Sequence, residues 1–88
     1  MHRDRAVNLM DITPLLVEQR RVGDQYRSTE KMLQIFEARL AARGLEPSDR
    51  AKIETAIVNT RDELQRLGTR MLELDAAVVA ACKSDQRT

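Results

Sequence analysis

Residues 49–83 read DRAKIETAIVNTRDELQRLGTRMLELDAAVVAACK, and the spacing of apolar residues in this stretch decides the fold. Ile53, Ile57, Leu64, Leu67, Met71, Leu74, Val78 and Ala81 recur at intervals of four and three, with Thr60 filling the one gap. A 4-3 repeat held over four heptads marks a helix with a narrow apolar stripe that needs a second helix along its whole length. At ~1.5 Å per residue such a helix is roughly 50 Å long. The rest of the chain is read as what covers that stripe.

The covering element lies upstream. Ile12, Leu15, Gln19, Val22, Tyr26, Thr29, Leu33, Phe36 and Leu40 repeat the same rhythm. Thr13 is a suitable N-cap, and Pro14 suits a first helical position, where its missing N–H costs nothing. The run stops at Gly44, with Leu45 placed for the hydrophobic contact of a Schellman-type ending. The expected organisation is a flexible extension over 1–11, helix one over about 13–43 and a loop over 44–48. Helix two then spans about 48–83, and a frayed tail covers 84–88. Either Ser48 caps the second helix or Pro47 already opens it. So short a loop makes the two helices antiparallel neighbours, an all-α helical hairpin with coiled-coil character.

The two stripes test each other. Folding the chain so that facing residue numbers sum to 93 pairs Leu40 with Ile53, Phe36 with Ile57 and Leu33 with Thr60. The same register pairs Thr29 with Leu64, Tyr26 with Leu67 and Val22 with Met71, then Gln19 with Leu74, Leu15 with Val78 and Ile12 with Ala81. One register serves both helices without a slip, which is the consistency between levels that specifies a structure. On the solvated faces, Arg20 with Asp24 and Arg27 with Glu30 are spaced as supporting ion pairs.

Composition bounds the rest. Eighty-eight residues with 42% hydrophobic and 33% charged side chains describe one highly charged helical domain, and aromatic content of 2% makes its core aliphatic. An elongated hairpin of this size buries little surface per residue, so association, completing a four-helix bundle, is the expected remedy. A net charge of +1 with acids and bases interleaved gives no electrostatic case for nucleic acid or a membrane surface. Cys82 is the single cysteine, so no intrachain disulfide forms, and with no signal-like or membrane-spanning stretch the expected location is cytoplasmic.

Apolar surface exceeds what a hairpin uses. Beside the stripe on one flank stand Leu9, Leu16 and Gly23 of helix one and Gly68, Leu72, Val79 and Cys82 of helix two, with Val17 and Ala76 just beyond. The other flank is charged through Glu18, Arg21, Glu63, Arg66, Arg70 and Glu73, apart from Met32 and Ile35, which suit a smaller second contact. Gly23 and Gly68 each cost about 0.8–1 kcal/mol against Ala inside a helix. They fall at nearly one level on the same flank, where a close-approaching partner would use them. The partner-binding residues expected are therefore Leu16, Val17, Gly23, Gly68, Leu72, Ala76, Val79 and Cys82.

Catalytic chemistry is not indicated. The chain holds no HExxH, CxxC, phosphate loop or Ser/His/Asp set, and inward positions are apolar except Gln19, Thr29 and Thr60, so neither an enzyme, a metal site nor a cofactor is expected. The function expected is a protein-interaction module (adaptor, chaperone or inhibitor) that masks a partner's surface and pairs with its own copy when unbound. Two alternatives are a Rop-like RNA-binding helical dimer and a structural subunit of a larger assembly. The interspersed Glu30, Glu37 and Glu54 and the lack of stacking aromatics weigh against the RNA reading.

Overall fold

The computed structural model describes the backbone of residues 2–86 and the side chains of residues 12–83. It is an antiparallel helical hairpin: α1 spans His2–Ala41 and α2 spans Pro47–Gln86, forty residues each, with no strand among the described residues. The rod measures 68 × 14 × 14 Å. Neither helix is long and apolar enough to cross a membrane, among the described residues.

The loop follows from its residues. Ala42 N donates to the Arg39 carbonyl at 3.2 Å, tightening the last turn of α1, and Gly44 takes φ of 82°, the left-handed conformation that closes a helix C-terminus. The helix ends at Ala41, two residues before the expected Arg43. Of the two readings of the restart, the structure has Pro47 opening α2. Arg50 N donates to the Glu46 carbonyl at 2.9 Å and closes the first turn.

The beginning of α1 corrects the sequence reading. Thr13 and Pro14 do not start the helix, because α1 already runs from His2 and Pro14 lies within it. A helix crossing a proline forgoes the one bond that its N–H would have made to the carbonyl four residues back, here that of Met10. The expected flexible extension over 1–11 and frayed tail over 84–88 fall where the described backbone, 2–11 and 84–86, is helical, and their side chains lie outside the described residues.

Both expected stripes lie on the inward side of the hairpin. All eighteen paired positions are buried or half-buried, from Leu40 and Ile53 beside the loop to Ile12 and Ala81 at the open end. Val22, Leu67 and Leu74 form a buried cluster, with Leu15, Tyr26 and Met71 packed on it, and Ile57 is buried nearer the loop. No polar side chain is buried among the described residues. Thr60, half-buried in the seam, donates from Oγ1 to the Ala56 carbonyl at 2.6 Å and so satisfies its own hydroxyl within α2.

Candidate docking flank

Three contacts between the helices line up on one side of the seam. Gln19 Nε2 donates to Asp75 Oδ1, the edge of Tyr26 lies beside Gly68, and Arg61 Nη2 bridges to Glu37 Oε2 at 3.0 Å. Arg61, Gly68 and Asp75 are successive heptad positions, so all three contacts mark the same edge. Leu16, Gly23, Glu30 and Glu37 repeat at the same interval on α1. This is the flank on which the sequence gathers its surplus apolar residues.

The expected residues divide into two groups there. Leu16, Leu72 and Val79 are 46%, 71% and 52% exposed, and the Cys82 thiol is free and exposed. Val17, 62% exposed, and Ala76, also exposed, sit a further step round their helices, on the outward faces rather than bordering the seam. Leu9 lies outside the described side chains. The structure thus brings Leu16, Leu72, Val79 and Cys82 to the open half of one edge.

The glycines behave differently from each other. Neither takes a positive φ. A Cβ built on Gly68 would rest 3.7 Å from Tyr26 Cε2, ordinary van der Waals contact. Gly23 is buried, yet a Cβ there would meet only the Arg27 guanidinium, Nη1 at 3.8 Å. Arg27 has curled back over the bare backbone while pairing with Asp24. The hairpin itself gives neither position a reason to be glycine.

One residue on this edge escaped the sequence reading. Val58 is 57% exposed and stands one place after a seam residue, as Leu72 and Val79 do. It helps line an open depression of about 540 Å³ with Glu37, Leu40, Ala41, Glu54, Ile57 and Arg61. The heptad interval from Leu72 and Val79 was the signal that finds it. Around Val58 the edge is charged, so the loop half differs in character from the open half.

Charges elsewhere pair locally. Arg21 bridges to Glu18 at 2.6 Å, Arg66 to Glu63 at 2.5 Å and Arg70 to Glu73 at 3.6 Å, all on the opposite flank. The Arg21 hydrogen bond holds the Glu18 carboxyl below its ordinary 4.5 against a smaller desolvation effect, aided by the charges of Arg21 and Arg70, and raises the Arg21 pKa in return. The expected pairs of Arg20 with Asp24 and Arg27 with Glu30 do not form: Arg27 takes Asp24, one turn back on its own helix. Arg20 is left exposed, with no ion pair among the described residues. Met32 and Ile35 are exposed on the charged flank as a separate, smaller patch.

Among the described residues no three His, Cys, Asp or Glu side chains are grouped to hold a metal ion. No protein family, curated protein or solved structure matches the chain.

Proposed function

We propose that this chain is a protein-interaction module, an adaptor, chaperone or inhibitor, that docks on another protein through the edge carrying Leu16, Gly23, Gly68, Leu72 and Val79. In the absence of that partner it pairs with a second copy as a four-helix bundle. The observation that carries the reading is Leu72 at 71% exposure beside a seam that is already filled. A large side chain left in water next to a closed core, with Leu16 and Val79 on the same edge, is surface awaiting an occupant. The two glycines strengthen it, since each forgoes helix stability at a place where the hairpin would accept a methyl group.

A phosphate-binding role is less well supported. Arg21, Arg27, Arg61, Arg66 and Arg70 each engage a carboxylate, so the arginines do not form an unopposed basic row.

The test compares the parent with Leu72→Glu and Gly68→Glu by sedimentation velocity and by affinity capture from the native host. The parent associates with itself or retains a specific protein, and both variants lose that association while keeping helical structure. Parent-like association in both variants places docking elsewhere.

A further inference from the structure

We draw no further inference here: the strongest candidate, the exposed apolar patch of Leu16, Leu72 and Val79 along one flank of the hairpin seam, belongs to the docking edge already described, and nothing in the structure shows what covers it.

Discussion

Gly68 stands against the edge of Tyr26 with room for a methyl group: an added Cβ would sit 3.7 Å from Tyr26 Cε2. Gly68→Ala therefore gains helix propensity without a clash. The dilute hairpin should become more stable by about 0.8–1 kcal/mol, read from chemical denaturation at concentrations where it is unassociated. Association, measured by sedimentation on the same variant, should weaken. A variant stabilised and equally associated would show that Gly68 plays no part in docking.

Leu74 and Leu72 sit two residues apart and differ in almost everything else. Leu74 is 2% exposed in the seam, and Leu74→Ala should cost about 2–5 kcal/mol through lost burial and a residual cavity. Leu72→Ala, at a site facing solvent, should leave the dilute hairpin within about 0.5 kcal/mol of the parent and act only on association. Circular dichroism melts over a concentration series separate the two effects.

Thr60 meets its hydroxyl's needs inside its own helix, through the 2.6 Å bond to the Ala56 carbonyl. Thr60→Val keeps the branched shape and exchanges that hydroxyl for a methyl at a half-buried layer facing Leu33. The expected gain is of order 1 kcal/mol, since no other group relies on the hydroxyl as a partner. A loss of stability would assign Thr60 a role in holding the register.

The Glu18 carboxyl titrates below its ordinary 4.5 in the folded chain, foremost because Arg21 hydrogen-bonds it. A depressed carboxyl pKa adds stability above the unfolded value and loses it as the pH falls through the folded value. Glu18→Gln should therefore be less stable than the parent at neutral pH, by a small margin suited to a surface pair, and should converge with it below pH 4.5. Denaturation at several pH values checks both the sign and the convergence.

The seam was legible because a period fixes it: each of eighteen residues had to be shielded from water, and each is buried or half-buried. The left-handed turn at Gly44 was legible for a similar reason, since few residues other than glycine take that conformation readily. The start of α1 was not. Thr13-Pro14 satisfies the local rule for a helix N-terminus, but a proline within a helix removes only one bond, and the local rule does not see whether the chain before it is helical. The ion pairs on the surface were also misread, because Asp24 has arginines on both sides and spacing alone does not choose between them. On the docking edge, heptad position located Leu16, Leu72 and Val79, while the covering of Gly23 by Arg27 depends on a rotamer that no pattern of residue types specifies.

The rod is 68 Å long with an interior only one side chain thick, and among the described residues four hydrophobic side chains are buried in it. No part of it is remote from its own outside. Whatever settles along the Leu72 edge therefore braces the packing immediately behind it, and resistance to heat should climb with occupancy rather than stay a fixed property of the chain. For a molecule built this way, being bound and being well folded are two readings of one equilibrium.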